Sequence, residues 1–226
     1  PTHWLPLKDE IHLIGFEPNK DECRKLNASR CGYWKSEFLP YAIGERDEKR
    51  PFYITEYHEC CSLLKPNFEW LERFDYGSFF NLNQTIEVET LSLNSIEKLS
   101  DLRVDALKID AQGNELPILE GADSVLNDVF LIEIESGLHK NYKNETTFDE
   151  LCPYLNQKGF TCMEVFTQPA QKRKNKARQW KSAKGQSMAC ESIWLRDLIK
   201  CENESLHSLK KSDFLSILSL CWLFEY

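Results

Sequence analysis

Ala106-Leu107-Lys108-Ile109-Asp110-Ala111-Gln112-Gly113-Asn114-Glu115 is the stretch that decides the fold. An apolar run passes into a polar turn, and a helical pattern follows with Leu116, Leu119, Ala122 and Leu126 on one face. Pro117 falls in the first turn of that helix, where a missing N–H costs nothing. A strand apolar on both faces that feeds a helix through a short polar turn is half of a β-α-β unit. Such strands belong in parallel sheets covered by helices.

The same alternation extends outward in both directions. Upstream, Ile11 to Phe16 is a buried strand ended by Glu17-Pro18-Asn19. Asn19 and Glu22 have the spacing of a helix N-cap pair, and Gly32 suits the helix end. Phe38 to Ile43 is a second apolar run that stops at Gly44, while Phe52 to Tyr57 and Thr85 to Leu93 alternate as half-exposed strands. Downstream, Val129 to Ile134 is a buried strand that ends at Glu135. Thr147 and Glu150 make a capping box for a helix that Pro153 should kink or delay. Phe160 to Phe166 and Ser192 to Leu195 supply two last strands. The expectation is α/β, a mostly parallel sheet with helices on both faces, in one domain over residues 1–198. Residues 199–226 are expected to add a C-terminal helical extension of unknown role, its apolar face made by Leu206, Leu209, Phe214, Leu215, Leu218 and Trp222.

Composition removes several classes. The chain has 226 residues, enough for one ordinary domain, and 42% of them are hydrophobic, which excludes overall disorder. Lys and Arg number 28 against 36 Asp and Glu; a net charge of −8 argues against general nucleic-acid binding. No apolar run approaches the ~20 residues of a membrane span. The nine cysteines include no CxxC pair, so no metal site is expected and the thiols read as reduced and mostly buried. Asn27, Asn83, Asn144 and Asn203 head N-x-S/T sequons that favour secretion, but no leader pattern precedes them and a cytoplasmic location is expected. One charge shift stands out. Residues 167–190 carry no acid but hold Lys172, Arg173, Lys174, Lys176, Arg178, Lys181 and Lys184, with Trp180 among them. This strip is either a solvated hairpin or a docking strip for an anionic substrate or partner.

In open α/β sheets ligands bind beyond the carboxyl ends of the strands, which directs attention to Glu17, Gly44, Asp110 and Glu135. Several segments then share a resemblance. IGFEPN (Ile14 to Asn19), YAIGERD (Tyr41 to Asp47), CSLLKPN (Cys61 to Asn67) and VETLSLNSI (Val88 to Ile96) come in order. LKIDAQGNELPILEGA (Leu107 to Ala122), LIEIE (Leu131 to Glu135) and SIWLR (Ser192 to Arg196) complete the set. Together they resemble the FkbM-type methyltransferase family over roughly residues 10–196. That resemblance implies a class I methyltransferase that uses S-adenosylmethionine to methylate a hydroxyl, often on a sugar or natural product. It also implies that Glu17, with Asn19 beside it, holds the adenosine ribose. Ile43 and Gly44 would border the adenine, and Asp110 would lie beside the sulfonium and the acceptor. A hydroxyl acceptor needs a base as its proton leaves, for which Asp110, Glu135 and His139 are the candidates.

The chain departs from the family pattern in three places. The glycine-rich turn and the strand before it are not in the sequence, a usual Asp is Asn94, and residues beyond Arg196 have no counterpart. The chain is accordingly expected to be cut at its N-terminus and inactive on its own. Two alternatives stay open: a dinucleotide-dependent oxidoreductase, since Glu17 suits either ribose, and a non-catalytic domain binding an anionic partner through the 172–184 strip. The acceptor, expected to be a small molecule or glycan and possibly anionic, and the oligomeric state are not legible.

Overall fold

Thr2–Leu7 opens the chain as a 3-10 turn, and β1 (His12–Phe16) follows it. The architecture comes from a computed structural model that describes residues 2–29, 31–174, 184–197 and 210–224. Helix α1 (Lys20–Ala28) starts at Asn19, whose Oδ1 accepts the N–H groups of Asp21 and Glu22. The apolar run expected as one strand over 38–43 is two, β2 (Lys35–Leu39) and β3 (Ala42–Ile43). Pro40, which has no N–H to give a ladder, lies at the break. Next come β4 (Glu48–Thr55), the short α2 (Phe68–Leu71), β5 (Leu82–Leu91) and α3 (Glu97–Ser100).

The deciding stretch forms β6 (Ala106–Ile109), α4 (Glu115–Glu120) and α5 (Asp123–Leu126), so the single helix expected there is interrupted at Gly121. Asn94 explains the restart: its Oδ1 accepts from the Ser124 N–H, the Ser124 hydroxyl and the Val125 N–H at the head of α5. Strand β7 (Leu131–Gly137) leads to α6 (Phe148–Gln157), where the Glu150 carboxylate accepts the Thr147 N–H and Pro153 is carried inside the helix. β8 (Phe160–Thr167), β9 (Ala189–Arg196) and α7 (Lys211–Leu223) complete the chain.

The strands form three sheets rather than one. β1 pairs with β2 in parallel; β3 and β4 flank β5, parallel and antiparallel respectively. The third sheet has the order β6-β7-β9-β8, parallel at β6–β7 and antiparallel elsewhere. The expected mostly parallel sheet is therefore corrected to a mixed α/β arrangement. β4 folds back on β5, and β8 and β9 pair directly, so neither connection is a parallel crossover.

The main core lies between the third sheet and its helices. Leu119, Ile132, Ile134, Leu151 and Leu155 are fully buried in it. Each such side chain contributes about 1.5–3 kcal/mol by leaving water. A second cluster covers the sheet's other face, where Ile217 and Leu220 of α7, with Phe224, pack on Trp4, Leu131 and Ile193. The apolar face expected for this extension is corrected: Leu215, Leu218 and Trp222 are 56%, 64% and 66% exposed, while the positions between them turn inward. Leu206 and Leu209 lie outside the described residues. No helix among the described residues is long and apolar enough to cross a membrane.

Candidate active site

A cleft of about 1450 Å³ runs between β1 and β6 and along the carboxyl ends of β1, β3, β6 and β7. Its volume exceeds the ~300–1,000 Å³ typical of small-molecule pockets. Glu17, Ile43, Asp110 and Glu135 line it; Asn19, Gly44 and His139 do not. Ile43 ends β3, Glu17 and Asp110 directly follow β1 and β6, and Glu135 lies two residues before the end of β7, which runs on past the end expected from sequence, so the sheets set their positions rather than the loops.

Glu17 follows β1 directly. Its Oε1 accepts the Asn19 N–H at 2.8 Å, which holds the carboxylate against the cleft wall. The Asn19 side chain is committed to the start of α1. Ile43 is buried, and its carbonyl accepts from Asn114 Nδ2 at 3.1 Å. Gly44 donates its N–H to Leu91, and its carbonyl lies against Gly121 at the end of α4. It therefore joins β3 to the helix rather than forming cleft wall.

Asp110 ends β6 and is exposed, and its Oδ1 accepts from Gln112 Nε2 at 2.7 Å. Glu135, on the neighbouring β7, is half-buried. Burial first, and then the charge of Asp110, push its carboxyl up to about 7. The pair thus sets an exposed acid beside a carboxyl that gains and loses its proton around neutral pH, an arrangement suited to proton transfer. His139 lies apart from them: its ring is 4.9 Å from Trp70, and Gln186 Nε2 donates to its Nε2 at 2.6 Å.

Beneath Asp110 sits a buried layer with no part in the sequence-based expectations. The turn carries Gln112 at φ 53° and Gly113 at φ 99°, both in the left-handed region, which is unusual for Gln. Glu115, 1% exposed, closes this turn: its Oε1 accepts the N–H groups of Gly113 (2.8 Å) and Ala111 (3.3 Å). Glu145, 3% exposed, accepts the Tyr142 N–H at 2.8 Å and is wedged between Gly113 and Gly137. A Cβ at Gly137 would stand 2.1 Å from Glu145 Oε1. Burial raises both carboxyls, Glu115 to about 7 with a further push from Asp110, and Glu145 to about 8 with a further push from Glu115. A Glu at the first position of a helix is a faint signal for Glu115. Glu145 sits in the polar stretch Asn144-Glu145-Thr146-Thr147, which reads as a solvated loop and gave none.

The basic strip is described only at its ends. Arg173 lies over Phe74 at 5.7 Å and donates to Gln186 at 2.9 Å. Lys176, Arg178, Trp180 and Lys181 lie outside the described residues. Among the described residues no group of His, Cys, Asp or Glu could hold a metal ion.

The site suits a nucleoside-bearing ligand in one specific respect: a carboxylate at the end of β1 and an apolar strand end at Ile43 face one large cleft, with Asp110 across it. No curated protein and no solved structure matches the chain. The family model for the methyltransferase FkbM domain matches residues 3–162, which takes in the strand ends that carry Glu17, Ile43, Asp110 and Glu135, and the chain belongs to that family of methyltransferases.

Proposed function

We propose that the protein is an S-adenosylmethionine-dependent O-methyltransferase acting on a hydroxyl of a sugar, glycan or natural product. The observation that carries this reading is the convergence of Glu17, Ile43 and Asp110 on one cleft. When bound, S-adenosylmethionine supplies an electrophilic methyl group. Glu17 accepts hydrogen bonds from the ribose hydroxyls, and Ile43 gives the base an apolar wall. Asp110, exposed at the end of β6, orients the acceptor hydroxyl and takes its proton. Glu135, raised to about 7, adds a hydrogen bond to the acceptor from its protonated form. In-line displacement depends on alignment, and strand ends provide rigid mounts for both carboxyls. The eight described cysteines are free, which supports a reducing, cytoplasmic setting.

Calorimetry of the full-length protein with S-adenosylmethionine tests the cofactor, and its release of S-adenosylhomocysteine tests the reaction. The acceptors are a panel of neutral, acidic and amino sugars, oligosaccharides and phenols. Binding, with turnover on a hydroxylated member, is expected. Absence of binding by a folded protein would overturn the reading.

A further inference from the structure

We infer that Gln112 and Tyr142 are positioning residues that fix the rotamer of Asp110. Three side chains form a directed chain of hydrogen bonds. Tyr142 Oη shares its one proton between the Cys60 carbonyl at 3.0 Å and Gln112 Oε1 at 3.2 Å, and Gln112 Nε2 donates to Asp110 Oδ1 at 2.7 Å. Direction matters here. An amide has one acceptor end and one donor end, and a carboxylate oxygen accepts, so Asp110 takes the nitrogen end and leaves the oxygen end facing the Tyr142 hydroxyl. The flipped amide would set oxygen against a carboxylate oxygen.

The surroundings hold this chain from both sides. Tyr142 is 2% exposed, packs on Phe80 at 5.5 Å, and its own N–H is held by Glu145. The backbone of Gln112 is pinned where its side chain must start: Ser62 Oγ donates to its carbonyl at 2.7 Å, and Glu115 takes the N–H groups on either side. A left-handed φ at a non-glycine residue costs about 1–3 kcal/mol and persists only where its surroundings enforce it. Gln112 pays that cost, and its side chain reaches Asp110 from there. Oδ1 of Asp110 is engaged by Gln112, and the residue lines the cleft.

The role builds on the reading of Asp110 as the base, but its first test does not need it. Three-bond couplings of Asp110 in the full chain report its χ1 rotamer without any ligand. A single rotamer is expected in the native protein, and averaging over rotamers in Tyr142→Phe and Gln112→Gly. Glycine accepts the left-handed φ freely, so Gln112→Gly keeps the fold even if Tyr142→Phe does not. A single, unchanged Asp110 rotamer in folded Gln112→Gly would overturn the inference. The second test is kinetic, with S-adenosylmethionine and the best acceptor from the panel above. Turnover should fall about tenfold in both variants, while affinity for S-adenosylmethionine holds; unchanged turnover would likewise overturn it. If the native protein releases no S-adenosylhomocysteine with any acceptor, the methyl-transfer reading fails, and the coupling data still decide the positioning role.

Discussion

Replacing Glu145 by Gln should make the protein more stable above neutral pH, although it removes a fully enclosed hydrogen-bonding residue. The carboxyl is raised from 4.5 to about 8, chiefly by burial. A raised carboxyl contributes stability that is complete below pH ~4.5 and is lost as pH climbs through the folded value, because the unfolded chain releases the proton first. Each pH unit inside that window costs about 1.4 kcal/mol. Between pH ~6.5 and ~8 the native protein should lose about 2 kcal/mol through Glu145 alone. Glu115 and Glu135, raised to about 7, add to the loss in the lower part of the window. The carboxyls held low, among them Glu37, Asp47, Glu133 and Glu150, have delivered their share before it opens. His12, held low by burial, has the opposite slope, but its contribution ends near pH 6.5. Glutamine keeps an acceptor for the Tyr142 N–H and cannot ionise. Urea titrations at pH ~6.5, ~7 and ~8 should show a fall in the native protein and a much flatter profile in Glu145→Gln. Equal slopes in the two proteins, or stability rising with pH in the native one, would refute the reasoning.

Gly137→Ala should lower the melting temperature sharply, since its Cβ would stand 2.1 Å from Glu145 Oε1 and 2.8 Å from the His139 carbonyl. Overpacking of this kind costs about 1–3 kcal/mol, and differential scanning calorimetry would register it. Glu133→Ala should cost about 3–5 kcal/mol in urea unfolding, the range for breaking a buried ion pair. Glu133 is fully buried and accepts from Lys108 Nζ (2.6 Å), Trp4 Nε1 (2.7 Å) and the His3 ring (2.8 Å). Glu17→Ala should weaken S-adenosylmethionine at least about tenfold by calorimetry, because charge-assisted hydrogen bonds are worth roughly 1.5–3 kcal/mol each.

The strands that could be read from sequence were those whose burial leaves a run of apolar residues. Ile132 and Ile134 show this for β7, and Ile109 for the end of β6. Sheet membership was less legible, because apolar runs do not record which edge pairs with which. Nothing local in Phe52 to Tyr57 shows that β4 turns back on β5, where Phe52 pairs with Ile86. The site divides in the same way. Strand-end position brought Glu17, Ile43, Asp110 and Glu135 to one cleft, whereas His139 and Gly44 come equally close to strand ends and do not line it. Which way a residue faces one or two positions past a strand depends on tertiary partners, Trp70 and Gln186 for His139. The buried layer of Glu115, Glu145 and Tyr142 was illegible for a stronger reason: charged residues are rarely buried, and only the folded turn shows what makes their burial possible.

Charge in the cleft bears on which acceptors it can receive. Lys108 and Arg103 both line it, and both are already engaged: Lys108 by Glu133 and Glu191, Arg103 by Asp105 and Asp213. At its carboxyl end Asp110 and Glu135 stand on neighbouring strands, and each additional negative charge there meets the same burial and the same Asp110 charge that raise the Glu135 carboxyl. A phosphorylated or carboxylated acceptor would therefore have to keep its charge away from these two residues. The described ends of the basic strip make that arrangement possible, since Lys172 and Lys174 flank the Phe74 bridge of Arg173 rather than lining the cleft. For an anionic acceptor the reacting hydroxyl and the charged group would be read at separate places. Raising the ionic strength should then weaken an anionic acceptor, through screening of the exposed lysines, and leave a neutral acceptor unchanged.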